Sequence, residues 1–281
     1  MTGATGHLGS RLLPLLLADP AVTNVRTVAR RGLPQHPKLV HTEADLRQDT
    51  ARSALEGVDV LYHLGFALWR SDDAAHVNFD GTRNVLAARP ARVVLASSAA
   101  VYGAWPNNPL PLTEDHWPRP NPECPYAVDK LRAERLCQTS APTLVLRIGA
   151  VLGPHADPRV AKAVHGYRLG VPAPMGKDAA LQFLHEDDAA TALHAAGAAG
   201  ATGVLNIAPP DWAGPQRHRP GGPQLRHPPP PPDLPGHGRG RLPAAPDPLR
   251  RRPGDPHERP PGARRLARRR PARVEGHPVI G

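Results

Sequence analysis

From Met1 to about residue 209, short and almost wholly apolar runs alternate with longer amphipathic stretches, and this alternation restricts the fold more than any other feature of the chain. The runs at 25–29, 39–42, 58–64, 92–97, 143–148 and 204–207 are mostly continuous, as expected for strands covered by helices on both faces. Between them Leu8, Leu12, Leu15 and Leu16 share one face at helical spacing, as do Val77, Gly81 and Val85 within 76–88. Strands and helices in turn predict a parallel sheet in an α/β fold.

The alternation stops at 210–281. By count from Trp212 onward, about four residues in ten are Pro or Gly, about one in five is Arg, and Lys is absent. Such a stretch has too few apolar side chains to bury a core. About nine of the ten net positive charges lie there, so the basic balance describes the tail, and the first 209 residues are close to neutral. Three readings stand for the tail. It is a disordered Pro/Arg-rich extension, a nucleic-acid-binding arm, or the product of a reading-frame shift in a GC-rich gene. The arm is disfavoured because no aromatics are interleaved to stack on bases. The shift is favoured because the change is abrupt and follows directly on a strand.

Two cysteines, Cys124 and Cys137, make neither a disulfide framework nor a zinc-ligand cluster, and a metal is not expected. A reducing compartment follows as the default. The apolar run 12–18 is interrupted by Pro14 and is too short for a bilayer, and no leader pattern precedes it, so the expectation is a cytoplasmic protein without membrane contact.

The chain opens with Gly3, Gly6 and Gly9 directly before an amphipathic helix. In a phosphate-binding loop one such glycine permits the tight turn and another lets the backbone approach a pyrophosphate. The third lets the helix pack on the sheet, and free amides at the helix start face the anion. Alone, the spacing also fits an ordinary glycine-rich turn. The strand that should lead into such a loop is missing, because Met1 stands where it would end. The expected fold is therefore a Rossmann-type doubly wound parallel sheet lacking its first strand. The chain as written is then either preceded by a start further upstream or compromised.

Further along, 95–103 reads as a strand end and loop containing Ser98, and 125–130 begins a helix with Tyr126 and Lys130 four apart. That spacing puts phenol and ammonium on one helix face, where the cation favours the phenolate and fits Tyr126 for proton transfer. The Ser98 hydroxyl can hold a substrate oxygen against it. By itself the Tyr/Lys pair also fits an ordinary exposed helix pair; joined to the glycine loop in this order it is far more specific.

Together these motifs resemble the extended short-chain dehydrogenase/reductase family, the NAD-dependent epimerase/dehydratase group, over about residues 1–209. The pieces are TGATGHLG at the start, ADL at 44–46, HLGFA at 63–67, NFDGT at 78–82, SSAAVYG at 97–103, YAVDK at 126–130, LR at 146–147 with GP at 153–154, and FLHEDD at 183–188. The resemblance implies bound NAD(P), with Tyr126 as acid/base, Lys130 on the nicotinamide ribose and lowering the Tyr126 pKa, and Ser98 bonding the reacting oxygen. It implies adenine contacts from Asp45 and Leu46, and further cofactor contacts from Gly3, Gly6, His7, Leu8, Gly9, Leu64 and Gly65. His63 reads as a packed core histidine, Asn78 as a tie between helix and loop, and His185, Asp187 and Asp188 as a capping element.

The chain departs from its sugar-nucleotide relatives at two polar grips. Ala150 stands where an Asn is usual, and the neighbourhood of Gln182 has no phosphate-binding Arg. A small or apolar carbonyl or alcohol substrate is therefore expected over a nucleotide sugar. After the strand at 25–29 come Arg30 and Arg31 with no acid, which points to NADP, with NAD as the alternative and Arg30 as the better phosphate contact. The reaction expected is hydride transfer at a carbonyl or alcohol carbon, or epimerisation through a transient ketone. A non-catalytic NAD(P)-sensing protein, nucleic-acid binding through the tail and an inactive truncated product remain the competing readings, and the oligomeric state stays open, a homodimer included.

Overall fold

The computed structural model describes residues 1–68, 74–156 and 182–209. By internal contacts the chain divides into Met1–Gln224 and Leu225–Gly281. The expectations for the tail at 210–281 lie outside the described residues.

Among the described residues eight strands and five α-helices follow one another, and all but the short β6 and β7 stand where the hydrophobic runs anticipate them. They are α1 (His7–Ala18), β1 (Val25–Ala29), β2 (Leu39–Glu43), α2 (Asp49–Ala54), β3 (Val60–His63), α3 (Ala74–Leu86), β4 (Arg92–Ser98), α4 (Pro125–Ser140), β5 (Thr143–Ile148), β6 (Ala150–Leu152), β7 (Phe183–His185), α5 (Glu186–Ala198) and β8 (Gly203–Ile207). Every strand pair is parallel. Strands β3, β4, β5 and β8 lie side by side in that order, while β1 pairs with β2 and β6 with β7.

The continuous apolar runs are explained by burial on both faces. Val93, Leu95 and Val145 pack with Val85, Leu86 and Cys137 in one cluster. Their neighbours Val94, Ala96, Leu144 and Leu146 pack with Leu12, Leu16 and Leu193 in another. Because successive side chains on a strand point to opposite faces, a strand covered twice has no polar alternation to show. Each fully buried Leu or Val contributes roughly 1.5–3 kcal/mol, so the sheet's centre holds most of the apolar driving force.

Among the described residues, the backbone of Met1 and Thr2 alone stands between β1 and β3. Thr2 bridges Val28 on one side and His63 on the other. The amide of Thr2 donates to Tyr62 O at 2.9 Å and the amide of Val28 to Met1 O at 3.0 Å. The Met1 amine donates to Arg26 O at 2.6 Å, and burial pushes its pKa down to about 5. One rung thus stands where the doubly wound pattern calls for a strand.

One local expectation needs correction. The buried face of α1 is Gly9, Leu12, Leu13 and Leu16, and Leu15 is exposed. The helix turns Leu13 inward because its partner surface is shared between the sheet and α5. The three-residue strands β6 and β7 are too short to leave a periodic signal and are visible only once paired.

Candidate active site

The glycine loop passes from Thr2 into the start of α1 at the carboxyl ends of β1 and β3, where open α/β sheets bind ligands. Gly3 has φ +72°, and a side chain there would also meet Gly65 N at 2.6 Å. A Cβ on Gly9 would fall 2.0 Å from Gly3 O, so helix and loop approach each other as only glycine permits. Gly6 precedes α1 with no side-chain cap, leaving the first helical amides, those of His7, Leu8 and Gly9, to point at whatever anion the loop receives. These features fit a dinucleotide pyrophosphate.

A chain of buried hydrogen bonds fastens this loop to the rest of the site. The Gly65 amide donates to Thr2 Oγ1 at 3.0 Å, and Thr2 Oγ1 lies 2.8 Å from His63 Nδ1. On the other side His63 Nε2 lies 2.9 Å from Thr82 Oγ1, which donates to Asn78 O at 2.5 Å. Because the Thr82 hydroxyl proton is spent on Asn78 O, Nε2 carries the imidazole proton and Nδ1 accepts from Thr2. Burial, helped by the Lys130 charge, pushes His63 down to about 3, so the ring is neutral, as its role as a packed core histidine requires. Asn78 is the expected tie. Its Oδ1 accepts from Ala67 N at 2.7 Å, and its Nδ2 donates to Ala67 O at 3.2 Å and to Asp129 Oδ2 on α4 at 3.3 Å.

Ser98 ends β4 and caps the short 3-10 turn Ala99–Tyr102, its Oγ accepting from Ala100 N at 3.2 Å. Tyr126 and Lys130 stand one turn apart on α4, and the Ser98 side chain is near enough to the Tyr126 phenol to pull its pKa downward. The structure therefore gathers Ser98, Tyr126 and Lys130 at one strand end, but the expected approach of ammonium to phenol is not the geometry adopted. Lys130 Nζ donates to Ala96 O at 2.7 Å and sits 3.9 Å from the centre of the Phe66 ring, against 5.7 Å from that of Tyr126. Burial pushes Tyr126 up to about 12, with Ser98 pulling it only part of the way back. Burial also brings Lys130 down to about 7, against the opposing pull of Glu134 and Cys137. A dehydrated ammonium takes the nearest carbonyl and aromatic face, and here neither belongs to Tyr126.

The outer residues expected at the cofactor are less concentrated. Arg31 reaches back to the glycine loop, donating to Thr5 O at 2.8 Å, while Arg30 is exposed and its charge falls on Asp45. The Asp45 carboxylate accepts from Arg47 Nε at 2.8 Å and Nη2 at 3.0 Å, and these hydrogen bonds hold it below the usual range. Leu46 packs over Gly65 and Gly81. Leu64 is half-buried at the edge of the core. Ala150 is exposed on β6, and Gln182 donates to Pro209 O at 2.6 Å. His185 caps α5, accepting from Asp187 N at 3.2 Å.

Three features escaped sequence reasoning. Glu134 and Arg147 form a buried pair at 2.8 Å, from which Ser97 and Tyr102 are also held; Tyr102 O–H donates on to Asn206 Oδ1 at 2.8 Å. Glu186 is only 1% exposed and accepts from His7 at 2.6 Å and from His155 at 2.6 Å. Burial acts to raise this carboxyl, but the bonds from His155 and His7 outweigh it and bring it to about 2. Phe66 meets the Tyr126 ring edge to face at 5.9 Å. The four-residue step from Lys130 to Glu134 was the one available signal for the first; the partners of Glu186 and Phe66 are too distant in sequence to leave any.

The chain belongs to the NAD dependent epimerase/dehydratase family, whose profile matches residues 1–208. It is 31% identical over 230 residues to protein Rv0501 of Mycobacterium tuberculosis (strain ATCC 25618 / H37Rv), covering 74% of this chain and 61% of that one. It is 37% identical over 131 residues to sterol demethylase protein B of Methylococcus capsulatus, covering 42% of this chain and 38% of the relative. The chain thus spans about three-fifths of the length of the mycobacterial relative. Among solved structures it resembles MoeE5 in complex with UDP-glucose and NAD, at 27% identity and TM-score 0.62, with 76% of each chain covered. In fold it also resembles UDP-glucuronic acid 4-epimerase from Bacillus cereus in complex with NAD, at 24% identity and TM-score 0.62, with 76% of this chain and 78% of that one covered. No helix among the described residues is long and apolar enough to cross a membrane.

Proposed function

We propose that this chain binds a nicotinamide dinucleotide, NADP in preference to NAD, and exchanges hydride at an alcohol or carbonyl carbon of a small molecule with Tyr126 as acid/base. The observation that carries this reading is one unbroken line of contact. Gly3 packs on Gly65, the next residue Phe66 touches both Tyr126 and Lys130, and the Ser98 side chain acts on the Tyr126 phenol from the end of β4. A phosphate loop and a proton-transfer pair would thereby meet at the carboxyl ends of the neighbouring strands β3 and β4, as hydride transfer with coupled proton movement requires.

When bound, the nicotinamide supplies the site that accepts or gives hydride. The amides at the start of α1 would hold the pyrophosphate, and Lys130 is the cation available to the ribose. Ser98 would hold the substrate oxygen while Tyr126 gives or takes the proton there. A phenol pushed up to about 12 is protonated at neutral pH, which suits donation to a carbonyl oxygen and hence the reducing direction.

For the adenosine end, Arg31 is engaged with Thr5 O and leaves Arg30 as the candidate for a 2′-phosphate. The reading with NAD draws on MoeE5, whose complex contains NAD, and on Glu43, whose carboxylate lies against Gly32 just after β1. For the substrate, Ala150 and Gln182 in place of polar grips favour a small or apolar carbonyl compound, whereas MoeE5 binds UDP-glucose. Fluorescence titration with NADPH and NADH, followed by reduction assays on apolar ketones and aldehydes and epimerisation assays on UDP-glucose, tests all three choices. Binding of neither cofactor sinks the whole reading. Equal affinities, or a preference that survives Arg30→Ala, sink the phosphate assignment. Efficient UDP-glucose epimerisation sinks the substrate assignment.

A further inference from the structure

We propose that Phe66 is the positioning residue of the Tyr126/Lys130 pair, its ring face holding the Lys130 ammonium and its contact with the Tyr126 ring closing the pocket to water. This rests on the reading of Tyr126 and Lys130 as the proton-transfer pair. The loop carrying Phe66 is held from both sides. Before it, Gly65 is packed against Thr2 Oγ1 and Leu46, so that even a Cβ would clash. After it, both backbone polar groups of Ala67 are bonded by Asn78, which also reaches Asp129 beside Lys130. A ring fixed in this way sets where the ammonium rests.

Lys130 Nζ lies 2.7 Å from Ala96 O and 3.9 Å from the centre of the Phe66 face, with the Tyr126 ring further off at 5.7 Å, and an ammonium over an aromatic face is attracted by the ring quadrupole. The other titratable groups about it are Glu134, Cys137 and Tyr126 on its own helix and the neutral His63 on β3. Glu134 is bonded to Arg147 and Ser97, so its charge is shared with another cation. Phe66 therefore acts on Lys130 in two opposed ways. Its π face stabilises the charged form, and its bulk keeps water from the ammonium and disfavours it.

Opposed effects can be separated by two substitutions. Phe66→Leu keeps the apolar bulk and removes the π face, so the Lys130 midpoint should fall, by about threefold to tenfold in acid constant, half to one pKa unit. Phe66→Ala admits water, so the midpoint should rise from about 7. Phe66→Tyr retains the face and should restore the parental value. The measurement is an NMR pH titration of full-length protein labelled with 13C at lysine Cε. The chain has only four lysines, Lys38, Lys130, Lys162 and Lys177, and loss of a resonance in Lys130→Arg assigns the one in question. Shifts of opposite sign for Leu and Ala, with Tyr as parent, support the proposal; shifts of the same sign, or none, overturn it. NADPH and NADH titrations on the same samples separate the two readings. A silent lysine in a protein that binds cofactor removes Phe66 alone, whereas opposite shifts without cofactor binding remove the dinucleotide reading and leave the role of Phe66 toward Lys130 standing.

Discussion

The two sides of the candidate site are built to different standards. On the Tyr126 side, β3, β4, β5 and β8 form a continuous parallel ladder, and Glu134 and Arg147 brace it from within. On the glycine-loop side, β1 and β2 are joined to that ladder through the single rung of Met1 and Thr2, supported by the Thr2–His63–Thr82 hydrogen bonds and by Glu186 holding His7. The difference teaches where each part's geometry comes from. The Tyr126 side owes it to repeated backbone pairing and apolar burial, and the glycine loop owes it to a few individual polar side chains, each of which matters in proportion.

The largest effect should come from the braced side. Glu134→Ala leaves the Arg147 guanidinium buried without its counter-charge, and stability should drop by about 3–5 kcal/mol. Urea denaturation measures it, and a loss below about 1 kcal/mol would show that the ladder needs no brace.

Next comes chemistry without structure. Tyr126→Phe should lower turnover by at least about a hundredfold while the cofactor dissociation constant changes by less than about twofold, since only the transferable proton is removed. Parental turnover in the Phe variant would remove Tyr126 from the mechanism.

On the loop side, Thr2→Val removes the acceptor of the Gly65 amide and the partner of His63 Nδ1, at a cost of about 1–3 kcal/mol. Cofactor affinity should weaken alongside stability, because the same hydroxyl ties the glycine loop to Gly65 and His63. If stability falls and affinity does not, the loop is independent of these side-chain bonds and the contrast between the two sides fails.

The smallest effect is expected on mild acidification, from about pH 7 to about pH 5.5. His63 is neutral in the fold down to about pH 3 but takes up a proton in the unfolded chain near its ordinary value. Unfolded chains therefore bind more protons as pH falls, and stability present above about pH 6.5 is lost progressively toward about pH 3. Between about pH 7 and about pH 5.5 the loss from this one group is about 1 kcal/mol. Glu186 adds a loss of the same sign at lower pH, as its carboxyl is protonated between its ordinary range and about 2. His63→Gln should flatten the first part of the acid limb; an unchanged slope would mean the ring is not held neutral.

Much of this was readable along the chain. The run at 25–29 is β1 and that at 143–148 is β5, residue for residue, and β4 extends the expected strand by Ser98 alone. The four-residue step from Tyr126 to Lys130 placed both on one helix, and Gly3, Gly6 and Gly9 marked the turn before α1. These are local facts, because strand alternation, helix periodicity and glycine geometry depend on neighbours a few residues away. Tertiary structure alone decided which partner each polar group would take. Lys130 faces Phe66, 64 positions earlier, rather than Tyr126 next to it, and His7 bonds Glu186, 179 positions away. The winding of the sheet brings such residues together, and burial then sets their charge, since an ammonium, a phenol or an imidazole removed from water answers to whichever dipole or ring lies within a few ångströms.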